Sequence, residues 1–272
     1  MEKRAITRSA NALLPGSGFV EQKLTSPRAA LDAFFARVSL QPRGVETVSV
    51  ERAFGRVLAR DAVAPADAPA AARSAMDGFA LRAACAPGEF AIAGEVRMGE
   101  GPGREVAAGE ALRIPTGGTL PHGADAVVPI EQARCADSRL YVADRIGAGE
   151  NVIAAGADVR RGETVVCAGT RIGSAHAGAL AALGFAEAAV FVRPVFGVLS
   201  SGDELVPAGS AAPPGAVFDS NRYAIAASLE AMGALPRHYP IAGDEPGECE
   251  RALHEALRDC DGVAITGGSS VG

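Results

Sequence analysis

Lysine is almost missing from this chain. It occurs only at Lys3 and Lys23, and the other 24 of the 26 basic residues are arginine. Genomic base composition accounts for such a bias, and the many alanines fit it. The formal net charge is −6, so the chain lacks the basic excess of a non-specific nucleic-acid binder. A G-x-x-x-x-G-K-[ST] phosphate loop is absent. Gly99, Gly101 and Gly103 do not make a G-x-G-x-x-G fingerprint, and no helix is predicted after them. No apolar run reaches the ~18 residues that would suggest a helical membrane span. The N-terminus carries Glu2, Lys3 and Arg4 but no signal-peptide hydrophobic stretch. The five cysteines (Cys85, Cys135, Cys167, Cys249 and Cys260) form no C-x-x-C pair and are odd in number. That pattern points to free thiols in a reducing cytosol. His122, His176, His238 and His254 lack zinc-ligand spacing.

What is present is a globular composition, 48% hydrophobic and 21% charged over 272 residues. This length suits one large domain or two to three smaller ones. Residues 1–24 have little periodicity and read as a loose extension. A short helix is predicted over 26–38, with Ser26 as cap, Pro27 in the first turn, and Leu31, Phe34, Phe35 and Val38 at helical spacing. Residues 45–64 alternate through Val45, Thr47, Val48 and Val50 and read as strand. The Ala, Pro and Asp run at 64–72 reads as a linker or domain crossing. Residues 88–170 are glycine-rich with short apolar runs, including 89–92, 126–130, 140–142 and 164–166, which predicts an all-β region. A small Ala-rich helix over 174–184 ends at Gly184.

After Arg193-Pro194 the pattern changes. A buried strand is predicted over 195–200, then a helix over 220–232. That helix has Asp219 or Ser220 as cap, Ile225, Leu229 and Met232 on one face, and Gly233 as stop. A second strand is expected near 237–241. A second helix follows Pro246, with Leu253, Ala256, Leu257 and Cys260 on one face. A third strand is expected over 263–266. Alternating strands and helices imply a parallel sheet.

Ligands of open α/β sheets bind outside the carboxyl ends of the strands. Here those ends carry Ser200-Ser201-Gly202-Asp203-Glu204, Gly243-Asp244-Glu245 and Thr266-Gly267-Gly268-Ser269-Ser270. Glycine N–H groups and hydroxyls suit an anion. Carboxylates repel phosphate unless they hold a cation such as Mg²⁺, which bridges to it. Asp203, Glu204 and Asp244 are therefore the candidate metal holders. Ser201, Gly202, Thr266, Gly267, Gly268 and Ser269 are the candidate ligand-binding residues. Taken alone, Asp203, Asp219 and Asp244 equally suit turns or caps. Two segments upstream also stand out, Ser74-Ala75-Met76-Asp77-Gly78 and Pro115-Thr116-Gly117-Gly118. On local grounds the first reads as an Asp-Gly turn and the second as part of a long surface loop.

In order, the strings at 74–80, 114–132, 155–162, 169–172, 199–205, 219–223 and 266–272 resemble the molybdopterin molybdenumtransferase family, and the likeness runs from about residue 26 to the end. The resemblance implies a multi-domain α/β fold. An elongated N-terminal α+β region (25–66 plus 156–192, for linkage and dimerisation) would carry an inserted β-rich domain (67–155). A partial parallel-sheet α/β molybdopterin-binding domain (193–272) would follow. It also implies insertion of molybdate into adenylated molybdopterin with release of AMP, assisted by Mg²⁺, in a cytoplasmic homodimer. Contact with the molybdopterin-adenylating protein is a further implied partnership, and neither nucleic acid nor membrane is expected. Carried over by motif, Asp77, Thr116, Asp158, Glu204 and Asp244 are the catalytic candidates, and Gly267, Gly268 and Ser269 would cradle the pterin phosphate. Asp77 of one protomer would face the α/β domain of the other. The family continues past the Gly-Gly-x-Ser-Val-Gly string, so a C-terminally truncated member is expected. The alternative is a truncated, non-catalytic molybdopterin-binding or assembly protein.

Overall fold

A computed structural model describes residues 26–267. The predicted extension over 1–24 and the candidates Gly268 and Ser269 lie outside the described residues. The chain divides into two compact units at Gln41/Pro42. In the first, helix α1 (Pro27–Arg37) starts as predicted: Ser26 Oγ accepts the Ala29 N–H at 3.2 Å, and proline occupies the first turn. Its apolar spacing suggested a buried face, yet no residue of the helix is buried within this unit.

In the second unit, two distant stretches fold together. Strand β1 (Val45–Ser49) pairs antiparallel with β12 (Glu187–Phe191), and β2 (Ala62–Val63) pairs with β11 (Thr164–Val166). Leu58, Val166, Ile172, Leu180 and Val190 form their shared core, covered in part by helix α2 (Ser174–Ala182). The strand expected across 45–64 is thus two short strands. A 3₁₀ turn at Val50–Arg52 and a reversal at Gly55 (φ +77°) separate them, because the Gly55 N–H leaves the ladder for the Ile172 carbonyl at 2.8 Å.

Between these stretches lies an all-β region. Strand β3 (Arg73–Ser74) pairs with β10 (Val152–Ile153). The remaining strands are β4 (Gly78–Leu81), β5 (Gly88–Glu95), β6 (Glu110–Ile114), β7 (Ala126–Pro129), β8 (Arg134–Ala136) and β9 (Arg139–Val142). They form one six-stranded sheet in the order β7-β4-β6-β5-β9-β8. Phe79, Leu81, Phe90 and Leu140 pack on one face, and Ala80, Ile114 and Val127 on the other, as the two-residue alternation of a strand requires.

The C-terminal part is a three-stranded parallel sheet. Strand β13 (Val195–Ser200) lies between β16 (Leu235–His238) and β17 (Gly262–Thr266). Paired on both edges and covered on both faces, β13 reads as the near-continuous apolar run that such strands need. Val198 packs with Ala226 and Leu229 of helix α3 (Asn221–Met232). Leu199 packs on the opposite face with Ala256 of helix α4 (Pro246–Asp259). Three expectations change here. The second strand is 235–238 rather than 237–241, because the Leu235 N–H already bonds the Pro194 carbonyl and Pro240 cannot donate to a ladder. Met232 is 70% exposed. The buried stripe of α3 is Arg222, Ala226 and Leu229, which shares Leu229 with the predicted face but is turned about 60° from it. Leu257 is likewise exposed, since α4 buries Ala256 at its centre.

Candidate functional site

The three strand ends meet as the parallel register dictates. The Ser201 N–H donates to the Thr266 carbonyl at 2.8 Å, and the Gly202 N–H to the Ala242 carbonyl at 3.1 Å. Thr266 Oγ1 and Ser200 Oγ lie 3.3 Å apart. Gly267 (φ +134°) closes on the first strand so tightly that a Cβ would stand 2.3 Å from the Ser201 carbonyl oxygen, so only glycine fits. Ser201, Gly202, Thr266 and Gly267 therefore share one edge.

The acids sit just beyond it. Asp203 and Asp244 clasp one another: the Asp244 N–H donates to Asp203 Oδ1 at 3.2 Å, and the Asp203 N–H to Asp244 Oδ2 at 3.4 Å. The Glu204 carboxylate folds back over Gly202, where a Cβ would lie 2.6 Å from Oε2. Glu248, which sequence reasoning missed, places Oε2 2.6 Å from the Cβ position of Gly243, and Asp203 Oδ1 lies 3.0 Å from the same point. Its signal was an acid in the first turn of a helix opened by proline. Among the described residues no three Asp, Glu, His or Cys side chains gather as a metal cage. Two facing carboxylates do match the mode in which a cation takes one or two protein oxygens and completes its shell with water and substrate phosphate.

Asp77 and Thr116 also come together, far apart in sequence as they are. Asp77 Oδ1 accepts both the Thr116 N–H (2.6 Å) and the Thr116 hydroxyl (2.9 Å). These two bonds, the backbone one foremost, hold the Asp77 carboxyl below the usual carboxylate range, with a smaller contribution from the Arg113 charge. Arg113, another residue not singled out from sequence, shares an open cleft of about 440 Å³ with Asp77, Glu95, Arg97, Met98 and Ile130. Gly78 does not sit in the predicted Asp-Gly turn. It begins β4, and a Cβ there would lie 2.1 Å from the Val128 carbonyl oxygen. The glycine is needed for close strand approach, and that approach aims Asp77 at the 115–116 turn.

Asp158 stands apart. Its N–H donates to the Ala68 carbonyl at 3.0 Å and the residue is exposed. Among the described residues no hydrogen bond or ion pair joins Asp158, the Asp77–Thr116 pair and the strand-end acids to one another.

Residues 25–184 match the family described as MoeA N-terminal region (domain I and II), and residues 197–272 match one described as a probable molybdopterin binding domain. The chain is 32% identical over 238 residues to the molybdopterin molybdenumtransferase of Bacillus subtilis, covering 84% of this chain and 55% of that protein. It is 33% identical over 234 residues to the protein of the same name from Nostoc sp., covering 84% and 54%. It superimposes on the molybdopterin biosynthesis MoeA protein of Pyrococcus horikoshii with a TM-score of 0.81 at 30% identity, covering 89% of this chain and 66% of that one. The chain thus spans about half the length of the curated relatives it matches. No helix among the described residues is long and apolar enough to cross a membrane.

Proposed function

The chain belongs to the MoeA family, and on that premise we propose that it takes part in molybdenum cofactor biosynthesis, inserting molybdate into adenylated molybdopterin with release of AMP. The observation that carries this reading is the meeting of three glycine- and hydroxyl-bearing strand ends beside facing acids. In this reading the N–H groups around Gly202 and Gly267 and the hydroxyls of Ser201 and Thr266 bind the phosphate of the pterin. Gly268 and Ser269, next in sequence, would share in holding that phosphate. Asp203, Glu204 and Asp244 would hold Mg²⁺, which when bound neutralises charge developing on the phosphoanhydride as it breaks. Glu204 and Asp244 also orient the bond to be cleaved. Asp77, kept ionised by Thr116, offers its remaining oxygen as an acceptor, and Asp158 is a further acid of the site.

The same reading makes the protein a cytoplasmic homodimer in which Asp77 of one protomer faces the α/β part of its partner. Contact with the adenylating protein that supplies the substrate belongs to it as well. The five free thiols agree with a reducing compartment. The test is molybdate-dependent AMP release from adenylated molybdopterin in the presence of Mg²⁺. A Glu204→Gln variant should lose about 10²-fold or more of the rate. Wild-type rates in that variant would remove Glu204 from the site. Binding of the adenylated pterin without AMP release would instead favour a non-catalytic pterin-binding protein.

A further inference from the structure

The acids of the sheet edge lie on two separate segments, and one buried ion pair joins both. Glu204 is carried by the segment 203–219, in which β14 (Leu205–Val206) pairs parallel with β15 (Val217–Phe218). The Val217 N–H donates to the Glu204 carbonyl at 2.8 Å, and the Asp219 N–H to the Val206 carbonyl at 2.9 Å. Asp219 therefore ends the ribbon that begins at Glu204. Asp244 is carried by the segment that leaves β16 at Tyr239 and returns to the edge through the Ala242 N–H bond to the Ser200 carbonyl.

Arg222, in the first turn of α3, bridges the two. Its Nε lies 3.4 Å from Asp219 Oδ2, and its terminal nitrogen donates to the Tyr239 carbonyl. Asp219 is 2% exposed and Arg222 9%. Apart from this ion pair, neither Asp219 Oδ2 nor Arg222 Nε has a hydrogen-bond partner among the described residues. A helix cap needs only the bond from the Arg222 N–H to Asp219 Oδ1, 3.2 Å long. A capping role explains neither a fully buried opposite charge nor its reach to Tyr239.

We propose that Asp219 and Arg222 are positioning residues that set the separation between the Glu204-bearing and Asp244-bearing segments, and so the spacing of the oxygens offered to a divalent cation and phosphate. The proposal rests on the site reading given above. Outer groups that orient ligands typically alter metal affinity about 10–100-fold when changed.

The test uses this chain with Mn²⁺ and AMP as probes. Mn²⁺ binding is titrated by electron paramagnetic resonance, and amide exchange is read by mass spectrometry. Arg222→Lys keeps the buried positive charge but not the two-point reach. It should weaken Mn²⁺ about tenfold or more and speed exchange at 217–219 and 242–244 together. Leu229→Ala loosens α3 from the sheet without touching the pair, and should leave Mn²⁺ affinity unchanged even where it melts earlier. Equal loss of affinity in Leu229→Ala, or unchanged affinity in a folded Arg222→Lys, overturns positioning. Should Arg222→Lys not fold, Asp219→Asn, which keeps an acceptor for the cap, is read the same way. A wild-type chain that binds no Mn²⁺ with AMP sinks the site reading instead. The exchange measurement then still decides the bridge: joint loosening of both segments supports it, and loosening of one alone overturns it.

Discussion

Replacing Gly78 by alanine tests whether close approach of two strands positions Asp77. The added Cβ would stand 2.1 Å from the Val128 carbonyl oxygen, where ordinary contact begins at 3.4 Å. Strand β4 must then move from β7 by about an ångström, since a core at crystal-like density has little slack. Such a shift takes the bond from the Ile130 N–H to the Asp77 carbonyl, now 3.0 Å, beyond hydrogen-bonding range. Overpacking costs about 1–3 kcal/mol and a lost backbone bond about 1 kcal/mol. The expected local destabilisation is therefore about 2–4 kcal/mol. Native-state hydrogen exchange of the Val128 and Ile130 amides reads it directly and does not require two-state unfolding of a multi-part chain. Gly99→Ala is the control, because Gly99 has φ +84° with nothing within 4 Å and should cost about 1 kcal/mol through backbone strain alone. If Gly78→Ala costs no more than Gly99→Ala, or leaves the Val128 and Ile130 amides as protected as before, the close-approach argument fails.

Thr116→Val removes one of the two bonds to Asp77 and leaves the stronger backbone one. The Asp77 pKa should rise part of the way to its ordinary value, as read by NMR titration of the carboxyl carbon. An unmoved titration would show that the hydroxyl contributes nothing. Because the folded-state pKa is depressed, the stabilisation that Asp77 brings is present above the unfolded pKa and is lost as pH falls through the folded one. In the variant that loss should be smaller and should be complete at a higher pH. Asp219→Ala should destabilise α3 by about 3–5 kcal/mol, as breaking a buried pair does. Asp219→Ala combined with Arg222→Met should recover much of this, and an additive double-mutant cycle in exchange free energies would refute the coupling. Arg193→Ala removes donors to the Gly233 and Ala234 carbonyls at 2.9 and 2.8 Å. It should lower protection of the last turn of α3 by about 1.5–3 kcal/mol, and protection that stays at the wild-type level would show the cap to be idle.

The helices were legible because their ends are written locally. Ser26, Pro246 and Gly233 mark starts and stops, and α1, α3 and α4 fall within one or two residues of the predicted ranges. Strand β13 was legible as an apolar run bounded by Pro194 and Gly202. Strand β16 was misplaced because Arg237–Ile241 carries as much strand character as Leu235–His238, and register on β13 decides between them. The outward turn of Met232 and Leu257 depends on which stripe the sheet covers, which helical periodicity leaves free to about one residue. The strand-end residues could be placed on one edge from the order of elements alone. That Asp77 meets Thr116 could not, since the pairing runs through the β4–β6 register of a sheet whose strands are four and five residues long. Asp219 was read, with Ser220, as a cap and its pairing with Arg222 was missed, although an acid and a base three apart at a helix start is itself a signal.

The scarcity of lysine acquires a structural side from these contacts. Arg222 spans the Asp219 carboxylate and the Tyr239 carbonyl, and Arg56 spans Glu46 and the Phe191 carbonyl. Arg193 takes two carbonyls at the end of α3, while Arg171 takes a third, Ala231, at 2.8 Å. At Arg56 and Arg222 one side chain bonds two partners far apart in sequence from each other, and at Arg193 it takes two consecutive carbonyls. A planar guanidinium with several fixed donors is suited to that, and an ammonium on a flexible stem is not. Base composition accounts for how many arginines the chain has, but not for what these have become. Helix α3 is tied at its start to Asp219 and the Tyr239 carbonyl by Arg222, and at its end to the 171–193 stretch by Arg171 and Arg193. A lysine at any of those three positions would keep the charge and slacken the tie.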